Sequence, residues 1–162
     1  MTTDAADLAS GMDVSGTRIV YSDRRSGDAD VYVYDVTTGV ETRLTTDPAS
    51  QVFPRIDGDI VVWEDTRRME GSTAYRDIYV HDRVDGTTFR ASVSSDEVGG
   101  NDWSDNPSIS GDGRLVVFES RSDNLVDGDA TVFASVDSAG VQQRPARGVL
   151  RATTHKFTSN YP

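Results

Sequence analysis

The chain contains no cysteine, so neither a disulfide nor a thiolate metal site can brace it, and stability has to come from packing and backbone pairing. Histidine is nearly as scarce. His81 and His155 are the only two, which leaves little material for a catalytic triad or a zinc site. No Gly-x-Ser-x-Gly nucleophile elbow occurs, and no apolar stretch approaches the length of a membrane span. The opening residues, Met1 to Asp7, lack the basic-then-apolar order of a secretory signal. Lys156 is the single lysine among 16 basic residues, and 27 acidic residues bring the net charge to −11. Such a balance disfavours nucleic acid or an anionic membrane surface as the main partner.

The charge is unevenly placed. Every acidic residue lies at or before Asp137, whereas the segment beyond it carries Arg144, Arg147, Arg151 and Lys156 without a carboxylate. The body is therefore −15 and the tail +4. A tail of this sign can dock on its own body or on a second copy, and the plainer alternative is a divergent terminal segment.

What the chain does have is a pattern written three times at a period of roughly 40–50 residues, the spacing of propeller blades and other repeat arrays. The first copy runs Arg18-Ile19-Val20-Tyr21-Ser22-Asp23, a Gly-containing link, Asp30-Val31-Tyr32-Val33-Tyr34-Asp35, Thr38-Gly39 and Glu41-Thr42-Arg43-Leu44-Thr45. The second runs Ile56-Asp57-Gly58-Asp59-Ile60-Val61-Val62-Trp63-Glu64-Asp65, a longer link, Asp77-Ile78-Tyr79-Val80-His81-Asp82, Asp85-Gly86 and Thr88-Phe89-Arg90-Ala91-Ser92-Val93. The third opens clearly with Pro107-Ser108-Ile109-Ser110-Gly111-Asp112-Gly113-Arg114-Leu115-Val116-Val117-Phe118-Glu119-Ser120 and then blurs. Thr131-Val132-Phe133-Ala134-Ser135-Val136 falls under the third strand of copy one, and Gly140 to Arg144 falls under Gly39 to Arg43.

Short runs rich in Val, Ile, Tyr, Phe, Trp and Thr, bounded by Gly, Asp, Asn and Ser, read as strands joined by tight turns. No window of ten residues has a helical period, so the fold class is all-β. The nearly continuous apolar runs read as strands buried on both faces. Four strands per unit follow, with Pro54-Arg55-Ile56 or Pro107-Ser108-Ile109 in the first and the Arg43-Leu44-Thr45 type segment as the last. Four-stranded antiparallel units at this spacing are β-propeller blades.

The order Pro-x-Ile-Ser-Gly-Asp-Gly-Arg-Leu-Val-Val-Phe, Asp-Ile-Tyr-Val-x-Asp, Gly turn, Arg-Leu-Thr resembles the repeats of the TolB-like (WD40-like, PD40) propeller family over roughly residues 12 to 145. Copy three departs from it where Thr131 and Val136 replace the bracketing aspartates. The expected organisation is an N-terminal extension over 1–11, three blades over 12–146 (12–47, 50–94 and 104–146) and a basic tail over 147–162. The resemblance implies exported or cell-surface relatives acting through protein contacts. It also makes six blades the usual ring, so three blades here are half or a fragment of one, and a homodimer giving six blades would supply the rest.

Candidate chemistry is thin. Asp23, Asp28 and Asp30, and again Asp123, Asp127 and Asp129, put three carboxylates near one Gly-containing loop, a donor type that suits calcium. The competing reading is turn chemistry, because calcium needs six or more oxygens and the sequence offers three. No other cofactor is expected. Glu64, Asp65 and Glu119 could furnish a glycosidase pair, yet Glu64 and Glu119 are repeat-equivalent, which favours a structural role. Trp63, Phe118 and Tyr21 are likewise equivalent and read as an aromatic layer between blades, and His81 reads as a strand residue in the place of Tyr34. The leading function is a non-enzymatic binding or scaffold module whose loops meet a protein or peptide partner. The alternative is a fragment of a propeller-type lyase or glycosidase.

Overall fold

The computed structural model describes residues 7–94, 96–125, 132–137 and 152–154. Among these there are twelve strands and no helix. The first sheet holds β1 (Leu8–Ser15), β2 (Arg18–Asp23), β3 (Asp30–Asp35) and β4 (Val40–Arg43) in that order. The second holds β5 (Gln51–Asp57), β6 (Ile60–Glu70), β7 (Thr73–Asp82) and β8 (Thr87–Arg90). The third holds β9 (Ser104–Ile109), β10 (Leu115–Ser120), β11 (Val132–Asp137) and β12 (Ala152–Thr154). Every neighbour is antiparallel, so each sheet is a four-stranded meander of the expected blade type.

Three boundaries differ from expectation. The first strand begins at Leu8, inside the segment read as an extension, because Met12-Asp13-Val14 pairs with Ile19 to Tyr21. The third blade takes its fourth strand from Ala152–Thr154, within the segment read as a tail, whereas 140–144 lie outside the described residues. The link Arg67 to Tyr75 is a prolongation of the β6–β7 hairpin, continuing past a bulge between Asp65 and Arg68.

Alternation along each second strand builds the core. Val61 and Trp63 of β6 turn with Ile56 toward the first blade and meet Val20, Val31 and Val33. Val62, with Ile78 and Val80 of β7, turns the other way and meets Val116 and Phe118 of the third blade. A strand whose two faces both serve a joint must be apolar at consecutive positions, which accounts for the Val-Val-Trp run. The blades stack through their first strands, with β5 against β1, β2 and β3, and β9 against β5, β6 and β7.

Each first strand carries a bulge at the same repeat position. Gly11, Phe53 and Asn106 all have positive φ there, at 82°, 52° and 54°. Pro54 and Pro107, the residues after the bulge, are buried. Gly11 is held closely, since a Cβ on it would stand 2.7 Å from the Phe53 Cα. Gly11→Ala is therefore expected to destabilise the chain by about 2 kcal/mol, from left-handed strain and a forced joint together. Urea unfolding measures this, and a change under about 0.5 kcal/mol would mean that the two first strands are not in contact there.

Candidate partner-binding face

Two arginine clamps recur in the first two blades. In the first, Arg25 donates from Nη2 to Asp23 Oδ2 at 2.8 Å and from its backbone N–H to Asp23 Oδ1 at 2.7 Å. Its guanidinium lies 4.6 Å over Tyr32, which stacks on Tyr21 at 5.9 Å. The second blade repeats this. Arg67 donates to Asp65 Oδ2 at 2.6 Å, lies 4.3 Å over Tyr79, and Tyr79 stacks on Trp63 at 6.2 Å. The Trp63 indole N–H also donates to Asp65, at 3.0 Å. In the third blade Ser120 and Ser122 stand at the two clamp positions, and the Ser122 N–H donates to Ser120 Oγ at 3.2 Å. The turn survives without its charges.

The other clamp spans each blade from its third strand to its end. Arg43 donates to Asp30 Oδ2 at 2.6 Å, Thr45 donates to Asp30 Oδ1 at 3.2 Å, and Thr45 in turn accepts the Val31 N–H. Asp77, Arg90 and Ser92 repeat the set, with Arg90 bound to Asp77 Oδ1 and Ser92 accepting the Ile78 N–H.

These clamps decide where the calcium candidates stand. Asp23 and Asp30 are buried, and each is taken by an arginine, while Asp28 is exposed. Burial pushes the Asp23 carboxyl up, but the hydrogen bonds and charge of Arg25 outweigh it and hold the group below its ordinary value. Asp123 is exposed and accepts from Asn101 Nδ2 at 2.7 Å, and Asp127 and Asp129 lie outside the described residues. Among the described residues no group of three carboxylate or imidazole side chains is placed to hold a metal ion. The signal for the clamps was in the chain. Asp23-x-Arg25 recurs as Asp65-x-Arg67, and Asp30 to Arg43 has the same 13-residue spacing as Asp77 to Arg90.

His81 is half-buried, with Nδ1 2.8 Å from Thr88 Oγ1, and burial lowers its pKa. It has the surroundings of a strand residue. Glu64 is sealed at 1% exposure beneath the third blade, where Oε1 accepts the Asn106 N–H at 2.9 Å. Its Oε2 lies 3.4 Å from Arg76 Nη1, within ion-pair reach but not aligned as a hydrogen bond. Glu119 is exposed and accepts from Asn106 Nδ2 at 3.1 Å.

Burial raises the Glu64 carboxyl, against the pull of Asn106 and Arg76. The folded chain then holds this proton more tightly than the unfolded chain does. Its contribution to stability is lost as pH rises from the unfolded carboxylate value, near 4.3, through the raised folded value. Gln at this position still accepts the Asn106 N–H and never ionises. Glu64→Gln is thus expected to be the more stable form at pH 7, with the gap closing by about pH 4. Paired denaturation curves at the two pH values test it, and a Gln variant weaker at pH 7 would show that the ion pair with Arg76 dominates.

Above Glu64, the prolonged hairpin and the loop before β9 assemble a different surface. Two guanidiniums approach the Trp103 ring, Arg76 at 5.4 Å and Arg121 at 5.7 Å from its centre. Arg68 ties hairpin to loop, donating to the Asp102 carbonyl at 3.1 Å while its guanidinium covers Tyr75 at 4.2 Å. Arg121 is exposed and the Arg76 side chain is 38% exposed. Arg68 is matched by Asp77 at 3.0 Å and Glu70 at 3.2 Å, so the accessible guanidiniums beside this aromatic plane are those of Arg76 and Arg121.

The three meanders, stacked first strand against first strand, have solved counterparts. TolB from Acinetobacter baumannii superposes with a TM-score of 0.59 at 18% identity, over 91% of this chain and 32% of that one. The fold is that of the TolB-like β-propellers. The β-propeller domain of the Trilobed protease from Pyrococcus furiosus, described as having an open velcro topology, gives 0.57 at 13% identity, over 86% of this chain and 42% of that chain. The tricorn protease gives 0.56 at 17% identity over 84% of this chain and 13% of that one. The chain thus spans less than half the length of each of these structures. No family model and no curated protein matches it. Within the TolB-like fold, Arg76 of β7, Trp103 just before β9 and Arg121 just beyond β10 come together where the second and third blades meet. No helix among the described residues is long and apolar enough to cross a membrane.

Proposed function

We propose that this chain is a non-enzymatic propeller module that holds an acidic segment of a protein partner against Arg76, Trp103 and Arg121, and that it works in a ring completed by self-association. The observation that carries the binding reading is the Trp103 ring with two accessible guanidiniums over it. Guanidinium forks match carboxylates, a tryptophan plane supplies contact area at little conformational cost, and the two residue types together are those that dominate interface energetics. A −11 chain repels acidic partners at long range, so a face that sets Arg76 and Arg121 beside one aromatic ring directs them to one place.

The test is titration with acidic peptides of about ten residues, followed by tryptophan fluorescence. Trp63 is buried at 1% exposure and Trp103 is partly open, so a ligand on this face perturbs one emitter selectively. Arg76→Ala with Arg121→Ala is expected to weaken binding at least tenfold, and added salt to weaken it further. Equal affinity in wild type and the double variant would overturn the assignment of this face. Turnover of a glycan panel, abolished by Glu64→Gln or Glu119→Gln, would overturn the non-enzymatic reading.

A further inference from the structure

The three blades are unequally enclosed at positions that the repeat makes equivalent. On the face each blade turns to the next, Val20 and Ser22 of the first and Val62 and Glu64 of the second are at most 1% exposed. The same face of the third blade leaves Leu115 at 47% and Val117 at 43%, with Glu119 open beside them. On the opposite face, Ile56 of the second blade is 3% exposed, whereas its equivalent in the first, Val14, is 63% exposed and Met12 is 62% exposed. Among the described residues, the chain therefore displays both halves of a blade-to-blade joint that these residues do not make with one another.

The joint between the second and third blades supplies the register. Ile60 rests on the turn at Gly113, where a Cβ would meet Ile60 Cγ1 at 3.3 Å, and the corresponding turn glycine of the first blade, Gly16, has nothing within 4 Å of that point. Val62 and Ile109 belong to one apolar cluster. Glu64 accepts the N–H of Asn106, the bulge residue. Moving each contact one joint on converts Ile60, Val62 and Glu64 into Leu115, Val117 and Glu119. It converts Gly113, Ile109 and Asn106 into Gly16, Val14 and Gly11, and Gly11 holds the same left-handed bulge conformation as Asn106.

We propose that two copies close head to tail through this joint, with Leu115 on the partner's Gly16, Val117 on the partner's Val14, and Glu119 accepting the N–H of the partner's Gly11. The occupant is a second copy because the chain itself presents the matching face in matching register. A joint of this kind made twice about a two-fold axis closes a ring of six blades, within the four to eight of known propellers. The inference rests on the self-association reading above and specifies its interface.

With no cysteine in the chain, single replacements give a background-free cross-linking test. Val14→Cys and Val117→Cys chains are mixed in equal amounts at about 50 µM and oxidised, then separated without reductant. The mixture is expected to give a covalent dimer, and either variant alone to stay monomeric, because position 14 meets position 117 and never itself. Val117→Asp, at a site exposed in the single chain, is expected to weaken dimerisation at least tenfold with an unchanged circular dichroism spectrum. Either variant alone cross-linking as well as the mixture, or no cross-link in a chain that sediments as a dimer, would overturn this joint while leaving self-association standing. A wild type that sediments as a monomer at the same concentration would overturn both.

Discussion

Asp65→Ala is expected to cost about 3 kcal/mol of unfolding free energy, since it removes a buried carboxylate that satisfies several donors, one of them a buried indole. Asp65 is fully buried and accepts from four donors, namely the Trp63 indole at 3.0 Å, the Arg67 backbone N–H at 2.9 Å, and Arg67 Nε and Nη2 at 2.9 and 2.6 Å. The loss of the carboxylate leaves the Trp63 N–H unpaired inside the joint, and it frees Arg67 from the position where it covers Tyr79. The third blade shows how the same turn is built without charge, through Ser120 and Ser122. Accordingly the double variant Asp65→Ser with Arg67→Ser should be less destabilised than the sum of its single changes by about 1 kcal/mol or more. Urea unfolding of the four members of the cycle measures the coupling. Strict additivity would show that Asp65 and Arg67 act independently.

Trp63→Ala is expected to cost a similar amount, about 3–5 kcal/mol, through the cavity it opens. The side chain is 1% exposed and fills the joint between the first two blades, among Val20, Val31 and Val33 on one side and Ile56 and Val61 on its own. Its loss also removes the stacking partner of Tyr79. Phe118 occupies the equivalent position in the third blade, so Trp63→Phe should be tolerated far better, losing about 1 kcal/mol for the hydrogen bond to Asp65. Thermal or urea unfolding ranks the two. An alanine variant within 1 kcal/mol of wild type would mean that this joint is not closely packed.

The blades were legible in the sequence because one physical demand recurs three times. A second strand that serves two joints must be apolar on both faces, and Ile19-Val20-Tyr21, Val61-Val62-Trp63 and Val116-Val117-Phe118 announce it. The clamps were harder to read. Asp23 and Asp30 look like turn or metal ligands until Arg25 and Arg43 are seen to occupy them, and Arg43 arrives from 13 residues away on another strand. Phe53 escaped for the opposite reason, since a bulky residue at positive φ contradicts local preference and is imposed by the bulge it shares with Gly11 and Asn106. The Trp103 face draws Arg76 from β7, Arg121 from just beyond β10 and Trp103 from just before β9, so no local pattern marks it. Repetition reveals what each blade needs for packing, whereas a binding face is defined by the places where one blade differs from the others.

Sedimentation equilibrium of the wild-type chain between about 1 and 100 µM tests most directly whether these three blades are half of a self-completing ring. Two chains of 17.6 kDa predict a species of about 35 kDa that persists through the upper part of this range. A mass of 17.6 kDa at every concentration would contradict it.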